Sequence, residues 1–493
     1  MATRSGDEYR SSLGRMRANI HKFGELITDP AVHPATRDTV AGVAELYELE
    51  NDPAFSDLLT VEADFLVSRG SRASGRGSGP GSERTSRYLS LMRSNEDLAA
   101  NTRLKRLAFQ RTGTCTGGRC PGWSCLNAMW ATTFEMDATL GAPYHRRLQA
   151  WLARAQAEDL AVCGAITDPK GNRSLPASAQ DDPDLHLRAV SASPDGIVVR
   201  GAKVMIAGVA SAHEMFVLPG SAYKEPDADY AVSFVLPRDA DGVTIIEARH
   251  PSDTRAAEDG FDKGNHRGGI SQGYVFFDDV FVPSERVFLC REWRWSGPAI
   301  WRFVLYERAT MGGCVAGQGD VKIAAAALLA EANGLGFRPL ADKFVEMVVD
   351  NETLFGVGLA AGYLGSAHES GVFLPDPLLA NVSKVNVARL PYETSLLCQE
   401  IAGGIGETGC APSSADLAHP GLGPLVAKYL RAAWPAEDRL RAARLAEYTT
   451  IGAGVPGCLH GGGSPDAARL GIRSLLDWEA YLALGRRLAG IKS

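Results

Sequence analysis

Residues 185–206 read LHLRAVSASPDGIVVRGAKVMI, and this stretch decides the fold. Apolar and polar residues alternate on both sides of a Pro-Asp-Gly turn, which is the pattern of a β-hairpin. Residues 230–246 (YAVSFVLPRDADGVTII) repeat the pattern around an Asp-Gly pair. Residues 273–288 (GYVFFDDVFVPSERVF) add strands rich in aromatic and β-branched side chains. The sequence therefore predicts a central β domain over residues 153–292.

The flanking segments have a helical pattern. Residues 1–152 are predicted to be helical except for 71–86 (SRASGRGSGPGSERTS), whose composition favours a solvated, mobile loop or one that closes over a site. Residues 293–493 return to helices, which carry small and apolar residues on all sides at 320–331, 342–364 and 383–401. Such helices are typical of a buried bundle. The order predicts an α+β protein with a helical N-terminal domain, a β domain and a C-terminal helical bundle.

Charge and cysteine content exclude several functional classes. The formal net charge of -7 argues against nucleic acid or an anionic membrane surface as the main partner. The N-terminus has no apolar signal region, and the longest apolar run, 322–330, is too short to span a bilayer. Nine cysteines in 493 residues do not form a disulfide framework. We therefore expect a cytoplasmic protein with reduced thiols.

The first candidate site is residues 111–125, RTGTCTGGRCPGWSC. Its glycines allow the backbone to approach a ligand closely, and Arg119 could pair with an anion. Cys115, Cys120 and Cys125 supply soft metal ligands, but their spacing matches no standard zinc or ferredoxin motif. Ordinary core or loop thiols are an equally good interpretation.

The second candidate site is residues 306–320, YERATMGGCVAGQGD. Four glycines around Cys314, predicted just before a helix, indicate close packing or close approach to a cofactor. Glu307 lies seven residues before Cys314, which places both on one helical face. A carboxylate and a thiol there could hold a metal or transfer a proton. The alternative is an ordinary ion pair of Glu307 with Arg302 or Arg308.

The third candidate site is residues 163–178, CGAITDPKGNRSLPAS, where the β domain begins. It combines positive charge, hydrogen-bond donors and a tight turn, which are the features needed to hold a diphosphate. The predicted cofactor-binding residues in this segment are Lys170, Gly171, Asn172, Arg173 and Ser178. A simple surface turn is the alternative.

Six stretches taken together resemble the 4-hydroxyphenylacetate 3-hydroxylase family. They are TTFEMDATLGAPYHRR (132–147), GAITDPKGNRSL (164–175), DDPDLHLRAV (181–190), FDDVFVPSERVFLC (277–290), NVARLPYE (386–393) and HGGGSP (460–465). The resemblance implies an acyl-CoA-dehydrogenase-like subunit with a β-barrel-like middle domain, assembled as a homotetramer or homodimer. It also implies FAD, held between the β domain and the bundle, or reduced flavin supplied by a separate flavin reductase.

The family has a hydroxylase branch and a 4-hydroxybutyryl-CoA dehydratase branch, and the overall likeness is greater to the second. That branch implies a [4Fe-4S] cluster on three cysteines and one histidine. Cys120 and Cys314 match two of the cysteines, and Cys115 lies near the third, with a spacing one residue longer. Glu307 stands where the histidine is expected, and a carboxylate is a poor replacement for imidazole on a soft iron.

Other positions also depart from the dehydratase pattern. Met311 and Val315 stand in place of a tyrosine and a lysine, and Ala207 in place of a threonine near the flavin. Gln272 and Gly457 stand in place of two glutamates. The resemblance to the dehydratase branch implies dehydration of a 4-hydroxyacyl-CoA through a radical. Because removing a substrate proton requires a positioned base, these changes argue against that reaction.

The hydroxylase pattern is met only in part. Arg119 fits its phenol-binding arginine, but Trp123 replaces a tyrosine and Gly164 a histidine. The sequence therefore predicts a flavin-dependent monooxygenase or oxidase for a specialised small-molecule substrate, free or bound to CoA or a carrier. Arg119, Trp123 and Glu307 are its predicted catalytic residues. The alternatives are an FAD/[4Fe-4S] dehydratase, isomerase or desaturase, and a non-catalytic assembly subunit.

Overall fold

The computed structural model describes residues 3–63, 84–113, 115, 117–248, 271–408, 411–451 and 460–491. The N-terminal part contains mainly helices. Its elements are α1 (Gly6–Gly14), β1 (Ile20–Lys22), β2 (Glu25–Ile27), α2 (Arg37–Asn51), α3 (Ser56–Leu59), β3 (Thr60–Glu62), β4 (Arg84–Ser86), α4 (Asn95–Thr112), α5 (Cys120–Leu140) and α6 (Tyr144–Glu158). Most of the loop predicted at 71–86 lies outside the described residues, and its last three residues form β4.

The helix α5 packs against the β domain. Pro121 lies in its first turn, and Gly141 ends it with a φ of +67°. Gly122 permits the close contact with the β domain, since a Cβ added there would lie 2.2 Å from the Val162 carbonyl oxygen. The predicted boundary at residue 152 falls inside α6, which continues to Glu158 before the first strand of the β domain begins at Val162.

The β domain consists of two sheets. Its strands are β5 (Val162–Ala165), β6 (Arg188–Ser193), β7 (Gly196–Ala207), β8 (Glu214–Val217), β9 (Val232–Pro237), β10 (Val243–Glu247), β11 (Gln272–Pro283) and β12 (Val287–Cys290). One sheet has the order β2-β1-β10-β11-β7-β6, and the other β12-β9-β8-β5. Buried side chains of both sheets and of α5 form one core.

Two hairpin predictions have different outcomes. The hairpin at 185–206 is confirmed as the antiparallel pair β6 and β7. The hairpin predicted at 230–246 is wrong, because β9 and β10 belong to different sheets. β10 instead pairs with β11 and, in parallel, with the N-terminal strand β1. A local turn signal does not specify which sheet receives each strand.

The C-terminal part is a helical bundle. Its elements are α7 (Ser296–Ala332), α8 (Ala341–Tyr363), β13 (Ser366–Ala367), β14 (Phe373–Leu374), α9 (Pro377–Val387), α10 (Leu390–Ala402), α11 (Gly404–Glu407), α12 (Ser414–Ala418), α13 (Gly423–Leu430), α14 (Ala436–Thr450), α15 (Pro465–Leu475) and α16 (Trp478–Ala489). The single helix predicted at 383–401 is two helices, α9 and α10. Together these elements confirm the α+β class and the predicted helix–β–helix order.

The helix α7 lies at the centre of the bundle. The glycines predicted just before a helix lie inside it, and they permit close contact with its neighbours. A Cβ added to Gly313 would lie 1.9 Å from the Thr102 carbonyl oxygen of α4, and one added to Gly312 would lie 2.5 Å from the Leu354 carbonyl oxygen of α8. The predicted close packing is thus confirmed. Although α7 is long and apolar enough to qualify as a membrane span, most of it is buried within the protein.

Candidate functional site

Arg119, predicted to bind an anion, is enclosed by protein groups. Its Nη1 lies 2.8 Å from Glu50 Oε1, and its Nη2 donates a 2.6 Å hydrogen bond to Ser86 Oγ. The guanidinium also lies 3.6 Å from Asp159 and 4.0 Å from the centre of the Tyr47 ring. Since the side chain has no exposed surface, the partners of its guanidinium are the protein's own Glu50, Asp159 and Ser86. Its predicted role as a catalytic residue does not fit this geometry.

Trp123, also predicted to be catalytic, is a core residue. Its side chain is buried, its Nε1 donates a 2.8 Å hydrogen bond to the Ser90 carbonyl oxygen, and its ring meets Tyr88 edge-on at 5.5 Å. A buried indole whose only donor is satisfied has no remaining group to offer a substrate. The second predicted catalytic residue therefore also has a structural role here.

Gly117 and Gly118, which precede α5, lie against the backbone at the end of β7. Gly208 has a φ of +68°, and a Cβ added there would lie 2.0 Å from the Gly118 amide nitrogen. A Cβ added to Gly117 would lie 2.6 Å from the Cβ of Ala207. The close approach predicted to be made to a ligand is instead a contact between this loop and the end of β7.

Glu307, the third predicted catalytic residue, lies beside a buried ammonium and hydroxyl groups. Ser124 of α5 donates a 2.5 Å hydrogen bond to its Oε1, and Lys105 Nζ of α4 lies 3.7 Å from its Oε2. The same ammonium donates a 2.6 Å hydrogen bond to Thr310 Oγ1. Three helices thus bring a carboxylate, an ammonium and two hydroxyls together in the protein interior.

The predicted ion pair of Glu307 with Arg302 or Arg308 is wrong. Arg302 instead pairs with Glu135 at 2.7 Å. Arg308 points the other way and donates a 2.9 Å hydrogen bond to the Gly462 carbonyl oxygen. The glycine motif at 460–463 is therefore fixed against α7 beside Glu307.

Thiols surround the Lys105–Glu307 pair. The Lys105 ammonium hydrogen-bonds to Cys120, and Cys314 lies close enough to affect the pKa of Lys105. Burial raises the pKa of Cys115 and Cys120 to about 12, so both thiols are protonated at neutral pH. Burial likewise raises the pKa of Cys125 well above its ordinary value. These groups are not nucleophilic thiolates.

The residues predicted to hold an iron–sulfur cluster do not fit one in this arrangement. Among the described residues, no group of three or more His, Cys, Asp and Glu side chains is placed to hold a metal ion. The Lys105 ammonium lies among these side chains, where it hydrogen-bonds to Cys120 and lies 3.7 Å from the Glu307 carboxylate.

The predicted cofactor-binding loop is exposed and internally braced. The Gly171 φ is +52°, and Asn172 N–H donates a 2.9 Å hydrogen bond to Gln180 Oε1. The Asn172 side chain accepts hydrogen bonds from Ser174 and so stabilises the turn. Lys170 and Arg173 are exposed, which leaves two cations at the rim of a fixed turn.

A buried ion pair connects this loop to β7. Lys203 Nζ lies 2.7 Å from Asp168 and donates hydrogen bonds to the carbonyl oxygens of Ile166 and Leu218. Tyr223 donates a further hydrogen bond, 2.9 Å long, to Asp168. The loop is thereby held to the sheet before any ligand binds.

The end of β7 has an unusual backbone. Met205 is exposed and has a φ of +57°, a conformation that bulky side chains rarely adopt. Val204 N–H donates to the Thr167 carbonyl oxygen, which ties this bend to the cofactor loop. Such strain persists where surrounding structure imposes it and is concentrated at ligand sites. The Met205 bend and the turn that carries the exposed Lys170 and Arg173 are therefore linked by a backbone hydrogen bond.

The remaining predicted positions lie close to this surface or outside the described residues. Gln272 is the register partner of Ala207 across β7 and β11, so two positions noted as departures from the dehydratase pattern face each other. Ser178 N–H donates a 2.8 Å hydrogen bond to Asp227, which fixes the far end of the cofactor loop. Gly457 lies outside the described residues.

Sequence reasoning missed Lys105. The position carries a signal, because Leu98, Thr102, Lys105 and Phe109 share the buried face of α4 at helical spacing. A lysine in such a row requires a buried partner. That partner comes from α7, more than two hundred residues away, and no local pattern identifies it.

Comparison with known proteins covers the whole chain. Residues 5–289 match the family model described as 4-hydroxyphenylacetate 3-hydroxylase N terminal, and residues 296–490 match its C-terminal counterpart. The chain is 39% identical, over 99% of each sequence, to 4-hydroxybutyryl-CoA dehydratase/vinylacetyl-CoA-Delta-isomerase of Clostridium aminobutyricum. It is 27% identical, over 91% of its length and 88% of the relative, to the 4-hydroxyphenylacetate 3-monooxygenase oxygenase component of Thermus thermophilus.

Solved structures agree with this fold. An oxygen-tolerant archaeal 4-hydroxybutyryl-CoA dehydratase from N. maritimus superposes with a TM-score of 0.92 at 36% identity, covering 100% of this chain and 96% of the other. The oxygenase component HpaB in complex with FAD superposes with a TM-score of 0.82 at 24% identity, covering 98% of each chain. The second likeness concerns the fold.

Proposed function

Because this chain belongs to the 4-hydroxyphenylacetate 3-hydroxylase family, we propose that it is a flavin-dependent monooxygenase or oxidase. Its substrate is a specialised small molecule, free or bound to CoA or a carrier. The observation that carries this proposal is the buried Lys105–Glu307 pair, which stands among the cysteines where the dehydratase branch implies a cluster. Because an ion pair occupies the position of the implied cluster, the flavin is the group that carries out the redox chemistry.

FAD is the cofactor that this surface suits. The exposed Lys170 and Arg173 would neutralise its diphosphate, and the strained backbone at Met205 follows Val204, which is hydrogen-bonded to the same loop. HpaB, whose structure was solved in complex with FAD, has the same fold. When bound, the flavin supplies the electron transfer, and the protein supplies binding, orientation and exclusion of water. A separate flavin reductase and a cytoplasmic location belong to this proposal.

Glu307 is the protein group suited to handle a proton. Ser124 and Lys105 hold the two carboxylate oxygens of Glu307 in one orientation. Burial disfavours a charged Lys105, but the Glu307 carboxylate and the hydrogen bond to Cys120 outweigh it and raise the pKa of Lys105, which stays an ammonium. A carboxylate held in one orientation can accept a substrate proton as a general base.

A dehydratase, isomerase or desaturase is the second candidate. It is favoured by the 39% identical relative and by the position of Cys115, Cys120 and Cys314 around one pair of charges. This function requires the Lys105–Glu307 pair to separate so that the thiols can bind iron. A non-catalytic assembly subunit, the third candidate, leaves the fixed carboxylate and the braced cofactor loop without a role.

Metal and flavin analysis of anaerobically purified full-length protein separates these functions. We expect stoichiometric FAD binding and little iron or sulfide. About four irons per chain would contradict the proposal and favour the dehydratase. Failure to bind oxidised or reduced FAD would leave the assembly role. Glu307→Gln should bind FAD as the wild type does while substrate turnover falls roughly 100-fold; full turnover would remove Glu307 from the mechanism.

A further inference from the structure

The His213 side chain connects α1 to the β domain. His213 directly precedes β8 and is 7% exposed. Its Nε2 lies 2.7 Å from Ser12 Oγ of α1, and its Nδ1 accepts a 2.9 Å hydrogen bond from the N–H of Ala161, the residue before β5. One imidazole therefore joins the N-terminal helix to the starts of two strands.

The hydrogen bonds fix the tautomer of His213. Ser12 donates its own hydroxyl proton to the Tyr9 carbonyl oxygen at 2.6 Å, and the Ala161 N–H is a donor only. Nδ1 therefore carries no proton, and the Nε2–H donates to Ser12 Oγ. The Tyr9 ring meets the imidazole edge-on at 5.6 Å. The neutral form of His213 thus has a partner for each ring nitrogen.

Protonation of His213 would break its hydrogen bond with Ala161. A proton on Nδ1 would point at the Ala161 N–H, so that two donors would face each other. A buried donor that loses its acceptor costs free energy, and here the protonated imidazole and the Ala161 amide would both lose one. The closed arrangement of α1 therefore accepts the neutral imidazole and disfavours the imidazolium.

Guanidinium groups around His213 act in the same direction. Arg4 Nη1 lies 3.5 Å from the imidazole Nε2. Three more arginines lie close enough to oppose a positive charge there, and they come from the end of α1, the start of α5 and the end of β9: Arg15, Arg119 and Arg238. Burial and these cations lower the pKa of His213 well below its ordinary value.

The carboxylates next to this cluster are engaged with other groups. Asp159 accepts a 2.8 Å hydrogen bond from the Arg4 N–H and lies 3.6 Å from Arg119. Glu214, the residue after His213, pairs with two arginines at 2.7 and 2.9 Å. An imidazolium at this position would therefore face guanidinium groups.

We propose that His213 is an acid-sensitive latch, which holds α1 against the β domain while it is neutral and releases α1 when it is protonated. After release, the imidazole regains its ordinary pKa of 6.5. The latch therefore contributes fully above pH 6.5, and the equilibrium constant for release rises by up to about tenfold for each pH unit below that value.

Release of α1 would also affect the loop that precedes α5. The Tyr9 hydroxyl donates a 2.6 Å hydrogen bond to the Ser211 carbonyl oxygen. A Cβ added to Gly118 would collide with the Ser211 hydroxyl, so this turn lies directly against the loop. Loss of α1 removes one of the contacts that hold Ser211 beside Gly118.

Hydrogen exchange of the full-length protein between pH 7 and pH 5, measured by mass spectrometry, tests the latch. Rates are divided by those of an unstructured peptide at the same pH, which removes the intrinsic pH dependence of exchange. We expect the protection of α1 to fall on the order of 20-fold over this range, while that of α9 in the bundle stays constant. Constant protection of α1 would overturn the proposal.

Two variants that do not titrate assign the effect to His213. In His213→Asn the carboxamide oxygen can accept from the Ala161 N–H, and in His213→Gln the amide nitrogen can donate to Ser12. We expect the protection of α1 to be independent of pH in both. Ser12→Ala keeps the imidazole, so it should show lower protection at every pH and the same relative fall in acid. Thermal melts by circular dichroism establish that each variant is folded.

The carboxylates that bind the start of α1 supply the competing explanation. Glu48 accepts the Gly6 N–H at 2.6 Å, and Asp159 accepts the Arg4 N–H. If His213→Asn or His213→Gln loses protection in acid as the wild type does, these carboxylates are responsible and the proposal fails. If neither variant folds, the wild-type profile decides: a fall that begins near pH 6.5 supports the latch, and one confined to the region below about pH 5 contradicts it.

Discussion

The Lys105 ammonium lies 3.7 Å from the Glu307 carboxylate, with side chains that are 3% and 12% exposed. Both charged groups are buried away from water, so each is stabilised by the other and by the hydroxyls of Thr310 and Ser124. Such a pair adds little net stability compared with apolar residues, but loss of one member leaves an uncompensated charge. The small net contribution to stability agrees with the functional role that we propose for Glu307.

Removal of one member should destabilise the protein more than removal of both. We expect Lys105→Met to lower the free energy of unfolding by about 3–5 kcal/mol. Lys105→Met combined with Glu307→Leu should recover much of that loss, because no buried charge remains. Urea denaturation measures both effects. Strictly additive losses in the two single variants and the double variant would mean that the charges are not coupled.

The glycine contacts of α7 predict a difference between two Gly→Ala substitutions. Gly313→Ala places a Cβ 1.9 Å from the Thr102 carbonyl oxygen, so α4 must move and we expect destabilisation of about 1–3 kcal/mol. Gly356→Ala in α8 meets no atom within 4 Å and should stabilise by up to about 1 kcal/mol. Thermal unfolding measures both. An equal effect of the two substitutions would contradict the packing role of Gly313.

The order of the domains was predictable because hydrophobic periodicity is local. The alternation in 185–206 identified β6 and β7, and the small apolar residues of 320–331 identified part of α7. The pairing of β1 with β10 was not predictable, since two short segments more than two hundred residues apart carry no matching signal.

The candidate site divides in the same way. Glycines and charges before α5 and in the cofactor loop were recognisable as unusual, but sequence does not tell whether a charge faces a ligand or another side chain. Arg119 illustrates this, since its partner Glu50 lies on α2. Lys105 shows the converse, because an ordinary surface residue type proved to be central.

Glu50 should make stability depend on pH. Burial, with a further contribution from Asp159, outweighs Arg119 and raises the pKa of Glu50 to about 8. A carboxyl whose pKa is raised in the folded state binds its proton more tightly there than when unfolded. The contribution of Glu50 to the free energy of unfolding is fully present below the unfolded pKa of about 4.5. It is lost as the pH rises towards the folded pKa of about 8.

Urea denaturation between pH 5 and pH 9 measures this contribution. Wild type should lose up to about 1.4 kcal/mol per pH unit relative to Glu50→Gln over the window between the two pKa values. The comparison with Glu50→Gln removes the effect of other titrating groups. Parallel stability profiles for the two proteins would contradict a raised pKa for Glu50.

The cofactor loop should depend on the buried pair that fixes it. Lys203→Met leaves Asp168 and two carbonyl oxygens without their ammonium, so the loop that carries Lys170 and Arg173 loses its buried side-chain attachment to β7. We expect FAD affinity to fall roughly tenfold or more, equivalent to about 1.4 kcal/mol, alongside a lower melting temperature. Lys224→Met makes the same substitution at an exposed lysine and should change neither property. Quenching of flavin fluorescence measures the affinity. Unchanged FAD affinity in a destabilised Lys203→Met protein would place the flavin away from this loop, because the loop would then be disturbed without consequence for the cofactor.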